Sequence, residues 1–351
     1  MFGRGAVVVL ALACIGFSVG RMASQSSGAA LPDDTIVFDS SRMGHLEIFT
    51  MKQDGTNQAQ LTNDPAYDSF WGQPSPDRTK ILFVRTPAGV RDSDYGKATT
   101  WVMNADGSAL TQILPLRAYG WTIQGHPEWK PDGTRIVTMG TSVSSIEIFT
   151  INPDGSNPVR VTNNGVGGPR GGINIDPSWH PDGQSLLFVG CPGSVCQPEN
   201  YEVYRIKDDG TGETRLTNDL KPDYDPYYSP DGATIAWLRN TGNIFRWGIF
   251  KMNPDGSGQT AVIDDGGVNS KPGWSLDSST IYFHRLPQGA SLFNVWKILP
   301  DGTGLIEVIL PRPAYINQYP VNGIKRVRSL LPSRPPLQRR SEGRVIQQEG
   351  A

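Results

Sequence analysis

The chain has 351 residues and a net charge of -2, so it lacks the strong positive field that would make nucleic acid its main partner. Its 40 glycines and 28 prolines are too many for a helical protein and suit a fold with many tight turns. The length allows one large all-β domain or two ordinary ones, with a core that needs no metal or disulfide staples.

Residues 1–30 read as an export signal with a short linker. Arg4 precedes an apolar run from Ala6 to Val19, and small and polar residues follow. This is the order of a secretory signal peptide, and the run is short for a membrane span. Cleavage is expected after Gly28, Ala29 or Ala30. The alternatives are lipidation at Cys14, although Ala11 stands where Leu is usual, or retention of the run as a membrane anchor. The mature chain is expected to be periplasmic or extracellular, with no transmembrane domain.

A repeat then fills the chain. Its copies are "EIFTMKQDGTNQAQLT" from Glu47, "TWVMNADGSALTQIL" from Thr100, "EIFTINPDGSNPVRVT" from Glu147, "EVYRIKDDGTGETRLT" from Glu202, "GIFKMNPDGSGQTAVI" from Gly248 and "NVWKILPDGTGLIEVI" from Asn294. A second motif alternates with it: "QPSPDRTKILFV", "EWKPDGTRIVTM", "SWHPDGQSLLFV", "YYSPDGATIAWL" and "GWSLDSSTIYFH". Near the N-terminus "LPDDTIVFDS" keeps only the turn and the strand after it, and "YINQYPVNG" near the C-terminus resembles the missing half. Proline presets φ at the first corner, Asp bonds back to the backbone, and Gly accepts positive φ. Each unit therefore reads as four short strands joined by tight turns. The middle strands are continuously apolar, as expected when both faces of a sheet are covered. The fold class expected is all-β: a six-bladed β-propeller of four-stranded antiparallel blades over residues 31–323. It is expected to close through one blade shared by the terminal strands, the C-terminal one at Ile316–Val321.

Trp129, Trp179 and Trp274, with Tyr228 and Tyr319 in the same phase, are expected to pack between blades rather than to stack on a carbohydrate. The residues just before the small or Pro position of each inner strand break the repeat. They are Trp71, His126, Asp176, Asp225 and Lys271, with Ile316 or Asn317 as the C-terminal counterpart. On a propeller they would ring one mouth of the central channel, where a ligand could be read. Asp176 and Asp225 on adjacent blades, near His126, could hold calcium or an amine, and a solvated channel mouth is the alternative. No other cofactor is implied. Cys191 and Cys196, in "CPGSVC", are expected to close a loop by a disulfide, since no second Cys or His pair supplies a zinc set. Residues 324–351 form a basic, Pro-rich tail expected to be disordered.

The paired "W-S-P-D-G…I-x-F" and "I-Y/F-x-M-N-x-D-G" patterns resemble the propeller repeat of the TolB family, a WD-repeat-like type also found in prolyl-oligopeptidase-like and tricorn-like propellers. The resemblance implies a propeller engaged in the cell envelope, and here one expected to stand free of the family's N-terminal α/β domain. No G-x-S-x-G elbow and no H-E-x-x-H helix occurs. The expected function is therefore a monomeric, non-enzymatic module binding an envelope protein or peptide. The alternative is a metal-assisted lyase or hydrolase acting on a glycan or lactone in the channel.

Overall fold

The computed structural model describes residues 28–308, apart from 143, 165–171, 194–195, 197–199, 220, 243–245 and 292. Each sequence unit becomes an antiparallel sheet. The third is representative, with strands Gln124–Trp129, Ile136–Ser142, Ser145–Ile151 and Val159–Arg160 running from the channel outward. Ser145–Ile151 is buried at every position, as a strand covered on both faces must be. Glu147 at its start is also fully buried. It accepts hydrogen bonds from the Thr162 hydroxyl and the Asn164 and Arg160 nitrogens, which tie the returning chain to the sheet.

The architecture is an all-β propeller, but the expectation of six blades of four strands each is corrected. The described residues form five sheets: three of four strands, one of three and one of eight. The three-stranded sheet is the N-terminal unit, made of Thr35–Ser40, Glu47–Lys52 and Ala59–Gln60. The eight-stranded sheet arises because the last two units are joined by a parallel pairing of Trp247 with Val268. A related backbone stitch joins earlier units: Ser69 N–H donates to the Leu46 carbonyl at 2.7 Å, and Asp223 N–H to the Tyr201 carbonyl at 2.8 Å. Neighbouring units are thus hydrogen-bonded through the backbone at the start of several inner strands. The expected closing strand at Ile316–Val321, residues 1–27 of the expected signal segment and the expected basic tail lie outside the described residues.

The first and last units meet by packing. Phe38, Phe49 and Met51 form one cluster with Tyr282, Val295 and Val308. The turn glycines contribute to the same kind of contact. Gly155 sits at φ +85°, and a Cβ added there would overlap the carbonyl oxygen of Ile113 in the preceding unit. Gly55 stands in the same relation to Val308 of the last unit. Beside Gly155, Asp154 Oδ1 accepts from the Ser156 N–H at 2.9 Å and hydroxyl at 2.6 Å, so its carboxylate is engaged by its own turn. The repeat aromatics lie between units: Trp129 packs with Leu82 and Val102, Trp179 with Val137 and Met139, and Tyr228 with Leu187. Tyr319 lies outside the described residues.

Candidate channel site

Every inner strand of the second to sixth units carries a bulge at the same place. The register slips between Phe70 and Gln73, Gly125 and Glu128, Ile175 and Ser178, Tyr224 and Tyr227, and Ser270 and Gly273. The bulged residues are Trp71, His126, Asp176, Asp225 and Lys271, with φ of 58°, 50°, 51°, 48° and 49°. Positive φ is costly for a side chain bearing a Cβ, on the order of 1–2 kcal/mol each. A proline next in sequence, as at 127, 177, 226 and 272, already bars the helical region. The bulge re-aims each side chain into the channel. These residues stand midway along their strands. Asn317 and Ile316 lie outside the described residues.

The structure brings the five together. His126 Nδ1 lies 2.9 Å from Asp176 Oδ1, and the Asp225 N–H points at Asp176 Oδ2 at 3.4 Å. The Trp71 ring lies 3.6 Å from that of His126, and Lys271 Nζ sits 4.4 Å from the centre of the Trp71 ring. The first unit completes the circle through Asp39, whose Oδ1 is 3.8 Å from Lys271 Nζ and accepts from the Trp71 N–H at 3.4 Å. Two further residues come from the loop after Lys80–Pro87. Tyr95 stacks on Trp71 with centroids 5.6 Å apart, and its hydroxyl lies 3.0 Å from His126 Nε2. Asp92 is buried beside it.

Burial governs the protonation of this cluster. Desolvation pulls the His126 imidazole below its ordinary value despite Asp176. A neutral His126 then donates from Nδ1 to Asp176 and accepts from Tyr95 at Nε2, the tautomer its partners select. Desolvation, reinforced by the Asp176 charge, raises Asp225 to about 8. Desolvation also lowers Lys271 to about 8, against the pull of Asp39. His126, Asp176 and Asp225 have donor atoms within 4.8 Å of one another, the spacing a hard cation would need. As they stand, the first two form a hydrogen-bonded pair.

A cavity of about 380 Å³ occupies the channel on the side of the inner-strand turns. Its lining includes Trp71, His126, Glu128, Tyr227, Lys271 and Gly273. Glu128 follows Pro127, and its Oε1 accepts the Trp179 N–H at 3.0 Å. Desolvation raises this carboxyl to about 8, opposed by that one backbone bond. The other end of the channel faces the loops, among them the one carrying Tyr95. The loop between Ser185–Gly190 and Glu202–Lys207 holds a Cys191–Cys196 disulfide with Cα atoms 5.4 Å apart.

No family model matches the chain. A Chlorobium luteolum protein described as a TolB homolog is 32% identical over 180 residues, which is 51% of this chain and 35% of that protein. The chain thus spans about a third of the length of that relative. TolB from Acinetobacter baumannii superposes with a TM-score of 0.64 at 16% identity, covering 82% of this chain and 66% of that one. A putative TolB from Agrobacterium tumefaciens gives 0.59 at 20% identity, covering 78% and 89%. The chain is a TolB-like β-propeller. No helix among its described residues is long and apolar enough to cross a membrane.

Three residues of this TolB-like channel were not singled out from the sequence. Tyr95 and Asp92 lie in a loop outside the repeat, and only the fold carries that loop over the channel. Glu128 stands beside the repeat Trp in "EWKPDG", where the repeat itself accounts for the Trp and the turn. Its signal was present: the same position holds Gln73, Ser178, Tyr227 and Gly273 in the other units, so packing does not require an acid there.

Proposed function

We propose that the chain is an exported propeller that binds a protein or peptide partner in its channel cavity. The cavity of about 380 Å³ carries this reading. It is walled by aromatic and proline side chains and floored by polar residues held in costly backbone conformations, a concave site of the kind that takes a few side chains of a partner. Likeness to TolB supports a cell-envelope setting. The channel test uses Gly273, where an added Cβ meets nothing nearer than the Tyr282 carbonyl oxygen at 4.0 Å. Peptides selected from a displayed library on the purified chain are expected to lose binding to Gly273→Trp, which fills the cavity. Selected peptides that bind both forms equally would place the site elsewhere and overturn the reading.

A further inference from the structure

We propose that Glu128 receives a primary ammonium group of the partner, either a lysine side chain or a free amino terminus. This rests on the channel reading above and names the chemistry that enters the channel. Most charged groups around the cavity have a close partner, although Asp39 Oδ2, like Glu128 Oε2, has no hydrogen bond among the described residues. Lys271 faces Asp39 at 3.8 Å, and His126 holds Asp176 at 2.9 Å. Arg78 Nε donates to the Leu31 carbonyl at 2.9 Å, and its Nη2 donates to those of Pro32 at 2.7 Å and Thr35 at 3.0 Å, with Asp33 at 3.9 Å. Glu128 has one hydrogen bond, from the Trp179 N–H, and its buried Oε2 has no partner among the described residues. A buried carboxyl oxygen left unpaired is costly, and a ligand that pairs it recovers that cost.

The geometry selects the ligand. One carboxyl oxygen is committed to the backbone, so a guanidinium could not engage both oxygens side by side, whereas an ammonium needs only one. Tyr227 lines the same space, and an aromatic face favours a cation over an uncharged chain of the same length. Because Oε2 is buried, the cavity wall beside it must yield on entry while Oε1 keeps its bond to the Trp179 N–H.

The test is calorimetric titration of the purified chain with three alanine-based pentapeptide amides. One is acetylated with a central lysine, one is acetylated with a central norleucine, and one is all-alanine with a free amino terminus. At least one ammonium peptide is expected to bind about tenfold or more tighter than the norleucine peptide. Which of the two prevails tells a side chain from a terminus. Glu128→Gln, which keeps shape and the bond to Trp179, is expected to erase the preference while the norleucine peptide still binds, which separates loss of the carboxyl from misfolding. Equal binding of all three peptides, lost in Gly273→Trp, would overturn the ammonium assignment and leave the channel reading standing. Binding unaffected by Gly273→Trp would overturn both. A preference that survives Glu128→Gln would also overturn the assignment, as would no binding at all.

Discussion

Replacing Arg78 by glycine should destabilise the propeller, although glycine is what the repeat prefers there. Arg78 fills the turn position that is Gly133, Gly183 and Gly232 in later units, and it sits at φ 59°. Turn chemistry alone predicts a gain of about 1 kcal/mol from Arg78→Gly, reduced by the greater entropy glycine has when unfolded. Against this, the guanidinium makes three hydrogen bonds to the carbonyls of Leu31, Pro32 and Thr35. It thereby staples the chain entering the first unit to the second. At about 1 kcal/mol net for each bond, the substitution loses about 3 kcal/mol. The net expectation is a loss of about 2 kcal/mol, read as a lower midpoint in urea with the slope of the transition unchanged. Ser278→Gly is the control. Ser278 has the same conformation at φ 61°, and its hydroxyl accepts a hydrogen bond from the Asp231 N–H at 3.1 Å. It should be neutral or slightly stabilising. If Arg78→Gly matches Ser278→Gly, the staple reasoning is wrong.

Gly155→Ala should cost about 2–4 kcal/mol, because positive φ and overlap with the Ile113 carbonyl add together; an unchanged denaturation midpoint would refute the inter-unit contact. Trp179→Ala should cost about 3–5 kcal/mol as a core truncation, and a stability loss near zero would return the ring to a ligand-stacking role. Glu128 is raised to about 8 when folded, so the unfolded chain binds fewer protons between about pH 4 and 8. Its share of stability is complete below the unfolded value and is lost as pH rises through 8. Glu128→Gln should therefore flatten the fall in stability over that window, and midpoints measured at several pH values that keep the wild-type slope would contradict the burial argument.

The turns and strand order were legible because their chemistry is local: Asp and Gly impose a turn wherever they fall in phase, and six copies in phase average out accident. The candidate ring was legible for the opposite reason. Trp71, His126, Asp176, Asp225 and Lys271 differ where the repeat is constant, and one repeat position on a propeller maps to one level of the channel. The bulge that each of them occupies is not visible in composition. The joining of the last two units into one sheet was also missed, since the pairing of Trp247 with Val268 is set by how closely neighbouring units approach.

By itself the sequence determined an all-β chain of repeated hairpin units, the TolB-like pattern of its motifs, and which positions the repeat leaves unexplained. Only the tertiary structure decided that Tyr95 reaches His126 from a distant loop, that Arg78 holds the N-terminal segment, and that Glu128 stands in an aromatic cavity with one oxygen unpaired. The division has a physical cause. Turn and strand preferences act between neighbours a few residues apart, whereas burial, pairing and protonation depend on groups that the closed ring alone brings together.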